Sequence, residues 1–298
     1  MSVATANPAV RIRDLEKGFG DGAILDGVGF DVPAGGITLL MGPNGVGKTI
    51  LLSCIAGGLH PDDGEVAVFG RSPEGARSAL NFMLQDAMLV DELSGRENAA
   101  FFRDLHPRAT DEWRTVLEEL SFDVDALDRE VGDYSGGMKR KLEIAITLSV
   151  DVPLFLLDEP TAALDMTTVD TLHSILADRQ AAGDTVLMSS HLPVDAGLAD
   201  RLVLLTEDGL VAQGTPEELL ASVPRVVHIE GVDDSVSEYV RDGRLFESDA
   251  TRRGFLRENA DPSAVEASSD DQGTRVEVRE PTYTDLFNYY VHVASDTG

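Results

Sequence analysis

The run Gly42-Pro43-Asn44-Gly45-Val46-Gly47-Lys48-Thr49 has the spacing G-x-x-x-x-G-K-[ST]. An apolar stretch, Ile37–Met41, leads into it, and Ile50, Leu51 and Ile55 follow at helical spacing. A glycine-rich turn between a strand and a helix curls the backbone so that successive N–H groups and the helix N-terminus converge on one anion. A polyphosphate fits such a cradle. Lys48 would reach its β- and γ-phosphates, and the Thr49 hydroxyl would ligate Mg²⁺. A plain glycine turn has no need of the Lys-Thr pair or of both flanking patterns.

A second chemical feature is Val152-Pro-Leu-Phe-Leu-Leu-Asp158-Glu159-Pro160, an apolar strand ending in two carboxylates. At the C-terminal edge of a parallel strand beside a phosphate cradle, Asp158 is placed to hold Mg²⁺. Glu159, one residue on and pointing elsewhere, is placed to polarise a water for in-line attack on a γ-phosphate. Without the cradle, the same pair reads as solvated acids capping a strand. A third feature is Tyr134-Ser135-Gly136-Gly137-Met138-Lys139-Arg140-Lys141, ahead of a helix with Leu142, Ile144, Ile146 and Leu148. Ser135 reads as its N-cap, and Gly136 and Gly137 expose backbone N–H groups, which makes a second anion site. Leu93-Ser94-Gly95 imitates this feature, but Arg96 stands where the second glycine belongs.

The elements that must position these groups follow a βαβ rhythm. Continuous apolar runs at Ile37–Met41, Asn81–Leu84, Leu154–Leu157, Thr185–Ser189 and Arg201–Leu205 predict parallel strands buried on both faces, separated by helical segments. From about 86 to 150 the pattern is mostly helical, with Trp113, Val116, Leu117 and Leu120 in phase, which predicts a helical insertion. The fold class expected is α/β, a P-loop NTPase layer over residues 1–222, followed by a small α+β extension over 223–298. In that extension Val226–Glu230 and Arg275–Arg279 read as strands, Asp261–Gly273 as a flexible loop, and a helix after Pro281 carries the stripe Tyr283, Leu286, Phe287 and Tyr290.

The 298 residues carry 53 acidic and 24 basic side chains, a formal net charge of −29. Such a surface argues against nucleic acid as a partner, because phosphate neutralisation needs basic patches. With 43% hydrophobic residues the chain is nonetheless a folding one. Lys17, Lys48, Lys139 and Lys141 are its only lysines, and the acids are spread along the whole length. This pattern reads as adaptation to high salt, where the Debye length shrinks to about 3 Å and a carboxylate-covered surface repels itself weakly. The sole cysteine, Cys54, excludes an intrachain disulfide and reads as a small buried apolar residue. No apolar run approaches the roughly 18 residues of a membrane helix, and the N-terminal residues lack a signal-peptide pattern. A soluble, cytoplasmic protein is the expectation.

On these motifs the chain resembles the nucleotide-binding subunit of ATP-binding-cassette (ABC) transporters over roughly residues 8–222. Gly42–Thr49 is similar to the Walker A motif, Leu154–Glu159 to Walker B, and Ser135–Met138 to the family signature, with Tyr134 and Met138 where Leu and Gln are commonest. The resemblance implies further roles. Gln85 resembles the Q-loop glutamine that senses Mg²⁺ and links to the membrane partner. Asp165, in Ala163-Leu164-Asp165, resembles the D-loop aspartate, His191 resembles the switch histidine, and Phe19 resembles the aromatic that stacks on adenine. It also implies ATP and Mg²⁺ as ligands and ATP hydrolysis as the activity. Two copies would pair head to tail, with ATP between Walker A of one and Ser135–Gly137 of the other, on the cytoplasmic face of a membrane. The partner implied is an integral membrane permease on a separate chain.

Three details resemble the single-cassette ATPases of multidrug, daunorubicin-resistance-type exporters: Ser-Gly-Gly-Met-Lys-Arg, the Arg96–Phe102 segment, and Pro281–Phe287. Two other readings compete. A soluble ABC ATPase of DNA repair would need a long coiled coil between its motifs, and one of translation a second cassette. An importer ATPase would be expected to carry a longer C-terminal regulatory domain.

Overall fold

Val10, Ile12 and Leu15 are buried while Arg11, Arg13 and Asp14 face water, and this half-buried pattern makes β1 (Val10–Phe19) a strand of an antiparallel sheet. Its neighbours are β2 (Gly22–Val32) on one side and, after β3 (Ile37–Met41) and α1 (Lys48–Ile55), β4 (Asp63–Val68) on the other. None of the three was expected from the sequence pattern. Bulges break their alternation, with register shifts between Ile12 and Leu15 and between Leu15 and Lys17. The computed structural model from which these elements are taken describes residues 7–20, 22–86, 88–230, 235–248, 251–267 and 275–293.

Next come β5 (Leu80–Met83), the helices α2 (Gly95–Leu105), α3 (Trp113–Glu119) and α4 (Gly136–Leu148), and then β6 (Leu154–Asp158). They are followed by α5 (Met166–Ala181), β7 (Thr185–Ser190), β8 (Arg201–Thr206) and β9 (Gly209–Gly214). A six-stranded sheet has the order β5-β6-β7-β3-β8-β9, and its β5–β6, β6–β7, β7–β3 and β3–β8 pairs are all parallel. All five expected parallel strands lie in it. β3 and β6 are buried at every position, as continuous apolar strands covered on both faces must be. Helix α1 packs Leu51, Leu52 and Ile55 into a core that also holds Val10 and Ile12 of β1 and Leu156 of β6. Each such Leu or Ile contributes about 1.5–3 kcal/mol by burial. Cys54 is fully buried in the same core.

The expected helical insertion is α2, α3 and α4 with short 3₁₀ turns between them. Ser94, in the signature-like decoy, is the N-cap of α2 and forms a capping box with Glu97. Trp113, Val116, Leu117 and Leu120 are buried as their spacing predicts.

A second compact unit runs from Gly214 to Gly298, the first being Met1–Gln213. The division falls a few residues before the expected 222, because α6 (Pro216–Ser222) packs with the final helix: the Ser222 hydroxyl lies 2.7 Å from that of Tyr290. This unit continues through β10 (Val226–Glu230), β11 (Phe246–Ser248), β12 (Thr251–Phe255), α7 (Pro262–Ala267), β13 (Arg275–Arg279) and α8 (Tyr283–His292). Its sheet has the order β11-β12-β10-β13, with antiparallel pairs. Val227, Ile229 and Val276 meet Val236, Val240 and Val265 in its core.

Two expectations change here. The stretch expected as a loop from Asp261 contains α7, its first residues folded over the core through Val265; residues 268–274 of that stretch lie outside the described residues. On α8, Leu286 alone of the expected stripe is fully buried, and Tyr289, one step round the helix, packs edge-on against Phe255.

Candidate functional site

Four neighbouring strands of the parallel sheet end at one edge, and each end carries part of the candidate site. The glycine loop follows β3, Gln85 follows β5, Asp158 and Glu159 close β6, and His191 follows β7. Sheet order thus brings together residues scattered over more than a hundred positions of chain. In the loop, Gly47 sits at φ +97°, in the left-handed region open to glycine, and turns the chain into α1. A Cβ on Gly42 would lie 2.3 Å from the carbonyl oxygen of Leu205, so no side chain fits there.

The Lys48 ammonium donates to the carbonyls of Gly42 (2.8 Å) and Pro43 (3.0 Å) and stands 3.5 Å from Oε1 of Glu159. Burial draws its pKa down, and the Glu159 carboxylate opposes that pull. Thr49 Oγ1 donates to Oδ2 of Asp158 at 2.6 Å, and Ser189 Oγ donates to Oδ1 at 2.5 Å. Gln85 Nε2 lies 3.4 Å from Oε2 of Glu159. His191 Nδ1 is 3.2 Å from Oε1 of the same carboxylate, at an angle that makes no hydrogen bond. A cleft of about 260 Å³ opens among Asn44, Gly45, Gly47, Lys48, Thr49, Gln85 and Glu159. Val46 is turned inward and buried beneath the loop.

Other expected residues stand outside this cleft. Ser135 caps α4, accepting from the Met138 N–H at 3.3 Å, and Gly137 lies against the carbonyl of Ala163. Gly136 faces the Ala163 side chain. Asp165 caps α5 through the Thr168 N–H (2.9 Å), and its carboxyl is held below the usual range by that bond. Phe19 is 53% exposed, which removes it from the core, and the Lys17 ammonium lies 5.4 Å from its ring centre. The basic trio after the signature is not three free charges: Lys139 pairs with Asp91 at 2.6 Å and Arg140 is buried.

What the arrangement can do is bind a triphosphate in the glycine loop and present a carboxylate to its terminal phosphate. The family profile "ABC transporter" matches residues 25–162. The daunorubicin/doxorubicin resistance ATP-binding protein DrrA of Streptomyces peucetius is 31% identical over 278 residues, covering 90% of this chain and 83% of the relative. The chain belongs to the ABC transporter ATP-binding proteins. A second relative, the Fe(3+) ions import ATP-binding protein FbpC 2 of Rhodococcus jostii (strain RHA1), is 32% identical over 236 residues, 76% of this chain and 68% of its own. Among solved structures, an ATP-binding subunit of an ABC transporter superposes with a TM-score of 0.64 at 25% identity, over 72% of this chain and 92% of the other. This ABC ATPase is the ATP-hydrolysing subunit of a transporter.

Where the signature departs from the commonest pattern, the structure gives a reason. Tyr134 is buried, and its hydroxyl donates to the Ala126 carbonyl at 2.7 Å, tying the signature to the turn before it. Two residues of this site were not singled out from the sequence. Ser189 holds both the Asp158 carboxylate and the Glu159 N–H (2.9 Å). Asp195, wholly buried, accepts from Ser190 (2.5 Å) and Thr161 (2.8 Å) and meets His173 at 2.8 Å, fastening the segment before His191 to the one after Glu159. Ser189 was obscured because Asp158 and Glu159 are distant in sequence, and Asp195 because Thr161 and His173 are.

Proposed function

We propose that this ABC ATPase drives an integral membrane permease, in the export direction, by closing two copies of itself on ATP. The observation that carries the reading is the convergence of Lys48, Thr49, Gln85, Asp158, Glu159 and His191 on one cleft. The glycine loop and Lys48 hold the phosphates, and Phe19, exposed at the end of β1, offers a ring for the adenine. Thr49 Oγ1 and the Asp158 carboxylate are adjacent hard oxygens, a donor pair that suits Mg²⁺. When bound, that ion neutralises charge on the phosphate oxygens.

Hydrolysis then needs a water in line with the γ-phosphorus. Glu159 takes a proton from it as its oxygen bonds to phosphorus and the bond to the β–γ bridging oxygen breaks, leaving ADP and phosphate. His191 and Gln85, both within reach of the Glu159 carboxylate, orient that carboxylate and the γ-phosphate. Ser135–Gly137 stand outside the cleft of their own chain, which supports a site completed by the signature of a second copy. Asp165 would lie at that same interface. The γ-phosphate supplies the charge that holds two acidic surfaces together, and its loss releases them.

A permease partner is supported by an apolar groove of about 260 Å³ beside β5, lined by Phe82, Met83, Phe102, Trp113 and Ile146 and flanked by exposed Met88 and Leu105. A short cytoplasmic helix of the permease fits it, next to Gln85. Among the described residues no helix is long and apolar enough to cross a membrane. The reading assigns the transport pathway to the permease. Export is supported by the daunorubicin-type relative, whose likeness reaches into the unit after Gly214. The direct test is co-expression with a candidate permease and assay of inside-out vesicles. ATP-dependent uptake into them is expected; transport only in right-side-out vesicles would overturn the export reading. The charge of −29 supports a saline cytoplasm, for which ATPase activity should rise steeply from dilute to molar KCl. Full activity in dilute buffer would contradict it.

A further inference from the structure

The Glu159 backbone has φ +48°, a left-handed conformation that a glutamate adopts only when its surroundings enforce it. Besides Ser189, which accepts from the Glu159 N–H, the group that grips this backbone is Arg140, on the first turns of α4. Its guanidinium is 5% exposed and reaches two loops at once. One terminal nitrogen donates to the carbonyls of Asp158 (2.7 Å) and Glu159 (2.5 Å), and Nε donates to that of Pro160 (3.3 Å). The other terminal nitrogen donates to the carbonyls of Leu84 (3.1 Å) and Gln85 (3.3 Å) and to the Glu143 carboxylate (2.8 Å). Glu143 in turn accepts from the N–H of Met88 at 3.2 Å.

We propose that Arg140 is the positioning residue of the hydrolytic site: one planar fork fixes the backbone beneath Glu159 and the backbone beneath Gln85, and ties both to the helix that begins at the signature. A guanidinium suits the task because its donors have a fixed fan and its charge is permanent. Five carbonyls on two loops can be held only by such a fan. Glu143 balances the buried charge from the same face of α4, three residues on. Because α4 starts at Ser135, a shift of the signature on meeting a second copy moves the same rod that carries Arg140. The pair thereby makes the orientation of the base depend on the state of the signature helix.

The inference rests on the reading of Glu159 as the base, and the two are tested separately. If Glu159→Gln hydrolyses ATP at the wild-type rate, that reading fails whatever Arg140 does. For Arg140 itself, Arg140→Lys and the paired variant Arg140→Met/Glu143→Leu are compared with wild type in phosphate release, ATP affinity and melting temperature. Lysine keeps the charge but loses the fan, so kcat is expected to fall at least about tenfold while ATP affinity stays within about threefold. The paired variant removes both buried charges, a change that cores often tolerate; kcat is expected to stay low in it even where melting recovers. Wild-type kcat in Arg140→Lys, or recovery of kcat together with melting in the paired variant, would overturn the proposal. So would loss of ATP binding or of folded protein in both variants, since the guanidinium would then be holding the fold rather than the base.

Discussion

In the unit before Gly214 one connected set of buried polar side chains gathers at one edge of the parallel sheet, whereas in the unit after it a buried carboxylate pins a helix to a sheet. Lys48, Asp158, Glu159, Arg140, Glu143 and Ser189 form a connected set around strand ends, and one of them holds a positive φ. His228 and Asp285 of the second unit are also buried, with Arg253 partly so, yet no residue of β10 or β12 has a positive φ, and Arg253 meets Asp285 at 3.4 Å to close the contact with α8. Buried charge beside strain marks chemistry, and buried charge in regular structure marks packing. Four substitutions probe the contrast.

The largest effect is expected at Glu159. Replacement by Gln keeps the shape and removes the proposed base, so ATP should still bind while phosphate release falls about 10²- to 10⁴-fold. Wild-type release would place the chemistry elsewhere and erase the difference between the units. The next falls in the second unit: Ile229→Ala opens a cavity in its valine-rich core and should cost about 2–5 kcal/mol there. Calorimetry should show an earlier transition for that unit, while kcat at 25 °C changes less than about twofold. A matching loss of kcat would mean that the second unit takes part in hydrolysis.

Phe19→Ala removes an exposed ring from the first unit and should raise the KM for ATP by about two- to tenfold, the worth of a stacked pair, with kcat unchanged. An unchanged KM would remove Phe19 from the nucleotide site. The smallest effect concerns pH. Burial, then Arg253 and Arg279, holds the pKa of His228 below its ordinary 6.5, with Asp285 and Glu277 pulling weakly the other way. As pH falls below 6.5 the unfolded chain therefore takes up the proton first, so the stability of the second unit is complete above 6.5 and declines below it. His228→Gln should flatten the acid side of that unit's unfolding curve without touching the pH dependence of hydrolysis; His292, also held low by burial, keeps part of the slope. An unaltered acid limb would show that His228 is not what titrates.

The parallel strands were legible because burial on both faces leaves unbroken apolar runs, and Ile37–Met41 and Leu154–Asp158 come out to within a residue. β1, β2 and β4 were hidden, since half-buried strands with bulges give neither a run nor a clean alternation. β12 was hidden for another reason: its sequence, Thr-Arg-Arg-Gly-Phe, puts two arginines in mid-strand. Lys48, Thr49, Asp158 and Glu159 could be read from spacing, because a phosphate cradle and a strand end fix local order. Arg140 could not, because its partners are carbonyls, which any residue supplies. One signal was available: Arg140 and Glu143 fall in phase with the buried face of α4, where Ile144, Thr147 and Leu148 also lie. Two charges three apart on an apolar stripe announce a buried pair.

The separation of Ser135–Gly137 from the Lys48 cleft within one chain is the observation that a head-to-tail pair would explain. Light scattering on Glu159→Gln in molar KCl tests it directly, with and without Mg²⁺-ATP. The mass should double when ATP is added and return to the monomer value when ATP is replaced by ADP. A protein that stays monomeric with ATP bound, or pairs equally without nucleotide, would contradict closure of two copies on ATP.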